Sequence, residues 1–414
     1  MLRSRAYRVF MLMEFMVALC LTMIHLASAV YFVQIVRLEP FQLVLLGTAL
    51  EVTIFLFEVP TGVLADTYSR RLSVIVGIAL LGIGWVVAAL VPIFLPILLL
   101  QIVKAWGYTF ISGAQQAWIT DEIGEEAANR AFLRASQLGT VAGVLGTLGA
   151  MLLGSHNPSV PIFIGGALLI SLALLLLVIM PEHGFKPSRE HRESPLGAMY
   201  RTFKGGINVV RGSTVLITII AVGFIIGVFS EGYDRLNEYH WINNIGFPPP
   251  FEPLVWFGII GIATVPLRLV VTEVLHRRLE MGSPQAIARA LWLINGALIT
   301  ALLVFAWSAS FGLALIAFIL IGQLRGLNAP LYTAWLNRNL DPQTRATVIS
   351  MSAQADALGE IAGGPFVGVI GNVSVRIALT VSAVLLSPAL WLFRRAVQQK
   401  DADLLTRPVS LDAE

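Results

Sequence analysis

The chain has 414 residues, of which 57% are hydrophobic and only 13% charged. That charged fraction is about half of what a soluble domain carries, and a soluble protein this apolar lacks the polar side chains to cover its surface. Composition therefore excludes a soluble fold and places the chain in a membrane. The net charge of +3 is too small to argue for nucleic acid as a partner, and the lone Cys20 excludes both an intramolecular disulfide and a thiolate metal cluster.

A membrane helix needs about 20 mostly apolar residues. Twelve stretches meet that length: 9–33, 41–63, 72–91, 94–118, 132–153, 160–180, 214–234, 253–274, 286–307, 310–334, 347–371 and 374–393. The divisions at Val91-Pro92 and Ser308-Ala309 follow from length, because 72–118 and 286–334 are each too long for one span. The apolar run behind the basic Met1–Arg5 is too long for a signal-peptide core, so it reads as a retained first span. Most of the 28 lysines and arginines fall on the side that holds both termini; the exceptions are Arg37, Lys104, Arg235, Arg268, Arg325 and Arg376. The asymmetry puts both termini in the cytoplasm, and the expected location is the cell (inner) membrane.

The longest polar connection, 181–213, divides the chain six plus six. The expected organisation is a six-helix bundle over 1–180, a cytoplasmic linker over 181–213, a second bundle over 214–395 and a cytoplasmic tail over 396–414. Pro181 to Glu193 is polar and reads as flexible. Ser194-Pro195 then supplies a cap and a first-turn proline. Leu196, Met199, Tyr200, Phe203, Ile207 and Val210 follow at helical spacing, with Arg201, Lys204 and Arg211 between them. This predicts an amphipathic helix on the membrane face. Gly205-Gly206 weakens it, and a disordered linker is the alternative.

The halves repeat. Asp66, Arg70 and Arg71 recur 207 positions later as Glu273, Arg277 and Arg278, and Ala117-Trp118-Ile119 recurs as Ala334-Trp335-Leu336. Internal duplication of this kind characterises secondary transporters, whose binding sites lie between the repeats.

Between the second and third spans stands the polar decapeptide Gly62-Val63-Leu64-Ala65-Asp66-Thr67-Tyr68-Ser69-Arg70-Arg71. Gly62, Asp66, Arg70 and Arg71 resemble the signature loop of the major facilitator superfamily of transporters. Thr67 stands where that pattern has a basic residue, and Ser69 where it has glycine. With twelve spans of matching sidedness, the resemblance covers essentially the whole chain. It implies an all-α membrane protein of twelve transmembrane helices in two pseudo-symmetric six-helix bundles. Three further stretches, Phe57 to Gly62, Ser230 to Leu236 and Gly359 to Pro365, resemble the bacterial drug-exporter branch of the tetracycline and macrolide type. The fifth span supplies Gly139 and Gly143 of an antiporter-type glycine element, with Val144 at the proline position. The fuller version, Gly359, Gly363, Gly364, Pro365 and Gly368, lies in the eleventh span.

Asp66, at a helix end, suits the exposed amides at the start of the eleventh span. Arg70 and Arg71 suit Asp121 and Glu122 at the end of the fourth. With Gly62 and the twin Glu273, Arg277 and Arg278, these residues make a candidate inner gate. The alternative is a solvated positive-inside loop.

A charge at the centre of a membrane helix costs about 2.5–3.5 kcal/mol and should face the bundle interior. Asp356 and Glu360 are four residues apart on one face, about 15 and 21 Å deep. Two carboxylates that close in low dielectric resist ionising together. That suits a proton carrier; a structural pair neutralised by Arg325 or Arg268 is the alternative. Glu14 and Glu51 are further candidates for proton or substrate. Glu231, Asp234 and Arg235 near the outer end of the seventh span read as an outer gate or as an interfacial anchor.

No phosphate-binding loop, His-Glu-x-x-His pair or Gly-x-Ser-x-Gly elbow occurs, so no enzyme motif is present. The expectation is a monomeric secondary transporter in the lipid bilayer, without cofactor and driven by the proton gradient. It exports lipophilic or cationic drug-like small molecules. Uptake of a small metabolite, or a non-transporting receptor or scaffold, are the alternatives.

Overall fold

The structure is a computed structural model and describes residues 4–187, 197, 214–278, 283–339 and 345–395. The predicted amphipathic helix and the tail lie outside the described residues. Among those described, all regular structure is helical. The first helices are α1 (Arg5–Val30), α2 (Pro40–Thr67), α3 (Arg70–Leu90), α4 (Phe94–Ile111), α5 (Ala114–Ile123), α6 (Glu125–Gly154) and α7 (Ser159–Ile179). They are followed by α8 (Thr214–His240), α9 (Pro253–Arg278), α10 (Pro284–Trp307), α11 (Phe311–Asn339), α12 (Arg345–Val373) and α13 (Val375–Leu385). Helix α1 continues as a π turn at Tyr31–Ile35 and α8 as a π turn at Trp241–Ile245.

Eleven helical stretches, with α4 and α5 taken together, are long and apolar enough to cross a membrane. The remaining long helix is α12. Its 29 residues reach about 43 Å at 1.5 Å each, but it carries Ser350, Ser352, Gln354, Asp356, Glu360 and several glycines. The eleventh expected span is therefore helical throughout and is the polar member of the set.

The decapeptide is where local expectation and structure part. It reads as a loop, yet α2 runs on to Thr67 and α3 begins at Arg70, leaving only Tyr68 and Ser69 between them. Two side chains account for this. The Thr67 hydroxyl donates back to the Val63 carbonyl at 2.7 Å. Ser69 caps α3, its Oγ accepting from the Leu72 amide at 3.0 Å. The Ser69 backbone is extended, with φ −173°, so a position that holds glycine in the family pattern needs none here. The fourth expected span is in turn broken at Gly113, whose φ of +73° ends α4 and restarts the chain as α5.

The described residues form two compact units, one of α1 to α7 with residues 235–263, the other of residues 214–234 with those from 264 on. In the first, α3 packs on α4 and α7, and α1 on α6 and α7. Small residues permit the approach. A Cβ on Gly77 would lie 2.6 Å from the Gly107 carbonyl, and one on Gly82 2.7 Å from the Gly166 carbonyl. In the second unit α8 crosses α12 equally closely. A Cβ on Gly227 would strike the Asp356 carbonyl, and one on Gly363 would lie 2.8 Å from the Val228 Cα.

Candidate functional site

In the first unit, the decapeptide's charges form a closed cluster. Arg70 donates to Asp66 at 2.9 and 3.1 Å, one turn back across the helix break, and also to Asp121 near the end of α5. Arg71 turns away from the acids of α5. Its guanidinium donates to the Leu177 carbonyl, and its backbone amide donates to Glu182 at 2.8 Å. Glu122 accepts from the amides of His183 and Gly184 instead. A Cβ on Gly62 would meet nothing within 4 Å, so that glycine relieves no crowding among the described residues.

The segment just after α7 completes the cluster, and nothing in the sequence marks it. Glu182 accepts from the Ser69 hydroxyl at 2.7 Å and from the Arg71 amide, which places a carboxylate on the N-terminus of α3. Trp118, 1% exposed, donates its indole N–H to the Pro181 carbonyl at 2.7 Å. The Arg70 guanidinium lies 5.9 Å over the Phe185 ring. Residues 181–185 thus tie α3 to α5.

The twin in the second unit is simpler. Glu273 and Arg277 pair along α9 at 2.6 Å with both side chains mostly exposed. The Arg278 side chain lies outside the described residues.

The second unit holds a cavity of about 340 Å³. Three helices supply its polar wall, each through residues on one face. Helix α11 contributes Arg325, Asn328 and Tyr332, at helical spacing. Helix α12 contributes Ser352 and Asp356, four apart, and α8 contributes Phe229 and Ser230. Ile226, Leu298, Leu336 and Ile349 make much of the rest.

Arg325 is the fixed charge of this cavity. It forks onto both carboxylate oxygens of Asp234, with Nη2 to Oδ2 at 2.7 Å. The guanidinium lies 5.6 Å over Phe229 and 5.2 Å over Tyr233. Two residues that the sequence keeps separate, Arg325 as a neutralising partner for Asp356 and Glu360 and Asp234 as an outer-gate candidate, are therefore one ion pair. Asp356 is half-buried on the wall and makes no hydrogen bond or ion pair with a described residue. Glu360, one turn on, is not among the cavity's lining residues.

The other expected site residues are dispersed. Glu14 on α1 accepts from Gln115 on α5. Glu51 is half-buried on α2, Glu231 is buried at 2% exposure, and Arg235 directly follows Asp234 on α8. Lys104 on α4 is 2% exposed, and its ammonium sits 3.5 Å from the centre of the Trp85 ring with no hydrogen bond. A Cβ on Gly84 would lie 2.6 Å from its stem, so the glycine makes room for it.

Asn295 and Asn328, both buried in α10 and α11, pair at 3.0 Å. Amides at mid-span carry the same warning as charges, and that rule would have marked them in the sequence.

A family model described as Major Facilitator Superfamily matches residues 10–364. An uncharacterized MFS-type transporter, YxaM of Bacillus subtilis (strain 168), is 23% identical over 369 residues, covering 88% of this chain and 89% of that protein. The crystal structure of the nucleoside transporter NupG superposes with a TM-score of 0.71 at 14% identity, covering 95% of this chain and 99% of that one. A bacterial homolog of the human lysosomal transporter Spinster, in an inward-facing conformation, superposes with a TM-score of 0.73 at 15% identity over 95% and 98%. The sequence match spans most of the chain and the fold agrees over nearly all of it, so this multi-pass membrane protein belongs to the Major Facilitator Superfamily and is a secondary transporter, not an enzyme.

Proposed function

We propose that this transporter is a proton-coupled exporter of lipophilic, cationic small molecules, working by alternating access from a cell membrane with both termini in the cytoplasm. One observation carries the reading: Asp356 stands on the wall of a largely apolar cavity with no described partner. An unpaired carboxylate in low dielectric requires either a proton or a cation. Binding one excludes the other, and that exclusion is the elementary step of exchange. Arg325 is not hydrogen-bonded to Asp356; its terminal nitrogens hold Asp234 and Ser230. The apolar residues around the carboxylate suit the hydrophobic body of such a substrate.

The cluster around Arg70 serves in this reading as the cytoplasmic gate of the first half, held by Asp66 and Asp121. The protein acts as a monomer without a cofactor. Uptake of a small polar metabolite is the second reading, favoured by the side-chain hydrogen bonding of Asn328, Tyr332 and Ser352 on the same wall.

Reconstituted protein with an imposed pH gradient separates the two. Export by exchange predicts that an inward proton gradient drives hydrophobic amines out against their own gradient. Accumulation of nucleosides, sugars or amino acids in the direction of proton flow, with amines unmoved, establishes uptake instead.

A further inference from the structure

The hydrogen-bond network behind the cavity fixes which atoms its wall can offer. Asn295 donates Nδ2 to the Leu291 carbonyl at 2.7 Å, which can only accept. Its Oδ1 therefore faces Asn328, and Asn328 must present its Nδ2 to it, at 3.0 Å. The orientation of the Asn328 amide follows: its Oδ1, buried and without a hydrogen-bond partner, is the remaining atom.

The same argument applies one turn along. The Tyr332 hydroxyl has one proton and donates it to the Ile219 carbonyl at 2.8 Å. Ser352, 2.8 Å away, must then donate to Tyr332, which leaves the Ser352 oxygen with acceptor capacity only. Thr333 donates within its helix to Ala329 at 3.0 Å. Asp356 is an acceptor. Among the described lining residues, Ser230, whose oxygen accepts from Arg325 at 3.4 Å, and Arg325 itself, with N–H groups beyond those that bond Asp234 and Ser230, keep protons to give. The wall from Asn328 through Ser352 to Asp356 is one of acceptors.

A second observation concerns the aromatic rings. Quaternary ammonium ions have no N–H and are held by aromatic faces. Here Phe229 and Tyr233 stack on each other with ring centroids 6.2 Å apart, and Arg325 already lies over both. The cavity lacks a free aromatic cage at that point.

We propose that the cavity recognises the N–H groups of protonated primary and secondary amines and discriminates against quaternary ammonium ions, with Asn328, Ser352 and Asp356 as the acceptors and Asn295 as the residue that positions Asn328. This specificity rests on the cation-binding reading given above. An ammonium supplies two or three donors to the acceptor wall. A trimethylammonium of the same charge supplies none and leaves the acceptors unsatisfied.

The test uses the full chain purified in detergent and two probes, 4-phenylbutylammonium and its N,N,N-trimethyl analogue, titrated calorimetrically. The primary amine should bind about tenfold tighter or more, the effect of losing one hydrogen bond to a charged group. Asn328→Leu should narrow that ratio toward one by weakening the primary amine alone. Asn295→Leu, which leaves the cavity wall in place but frees the Asn328 amide to turn, should narrow it as well. Thermal unfolding of both variants checks their folding, and either folded variant suffices. Equal binding of the two probes, with both lost in Asp356→Asn, overturns the proposed selectivity and leaves the cation site standing. Binding of neither probe, or binding unchanged in Asp356→Asn, overturns both.

Discussion

The charged cluster of the first unit and the cavity of the second use the same residue types to opposite ends. Around Arg70, each acid meets a donor: Asp66 and Asp121 hold the guanidinium, Glu182 holds Ser69 and the Arg71 amide, and Glu122 holds two backbone amides. In the cavity, Arg325 is paired with Asp234, while Asp356 and the Asn328 oxygen have no hydrogen-bond partner among the described residues. A saturated network holds structure together. An unsaturated wall is a binding surface, because its hydrogen-bonding capacity awaits a ligand. The contrast predicts that substitutions in the first region lower stability, and that substitutions in the second change transport and leave stability alone.

The largest expected effect is Asp356→Asn. Gradient-driven amine flux in proteoliposomes should fall at least about tenfold, the consequence of losing one charge-assisted contact. The unfolding temperature in detergent should hold, since no described partner is stranded. A marked loss of stability would show that Asp356 belongs to a structural network like that of Arg70.

Arg70→Ala comes next. It leaves Asp66 and Asp121 facing one another without a cation. The cost should be about 1–2 kcal/mol, below that of a fully buried pair because Arg70, Asp66 and Asp121 are 20%, 49% and 27% exposed. Denaturation of the purified protein reads it directly. Glu182→Gln should cost about 1 kcal/mol, through the weakened cap on α3. If it costs nothing, residues 181–185 only rest on the cluster.

The smallest effect is Ser69→Gly, which restores the glycine of the family pattern. The extended backbone gives glycine no advantage, and the loss of the Leu72 cap should destabilise by only a few tenths of a kcal/mol. A gain in stability would mean that the turn favours a conformation other than the one described.

What the sequence discloses depends on range. Span lengths and the breaks at Val91-Pro92 and Ser308-Ala309 are legible because hydrophobic length is a local property, and α3 and α10 do end at Leu90 and Trp307. Asp121 is within reach of inference because its place at the end of the fourth span puts it near Arg70. Glu182 is not: it meets Ser69 from 113 positions away, and only the packing of α3 on α7 brings them together. The union of Arg325 with Asp234, 91 positions apart, is equally hidden. Within one helix, Glu360 shares a face with Asp356 by count yet is not among the residues that line the cavity. The repeat also marks its own limit. Aligned through Trp118 and Trp335, Asp121 corresponds to Arg338, so the acid that holds Arg70 is not repeated at the matching position of the second half.

The central claim is that Asp356 exchanges a proton for a cationic substrate. The direct measurement is proton release on mixing: purified protein in unbuffered detergent solution, loaded at mildly acidic pH, receives 4-phenylbutylammonium while the pH is followed. The account predicts release approaching one proton per protein in the wild type and none in Asp356→Asn. Undiminished release in Asp356→Asn would contradict it and assign the exchange to another carboxylate.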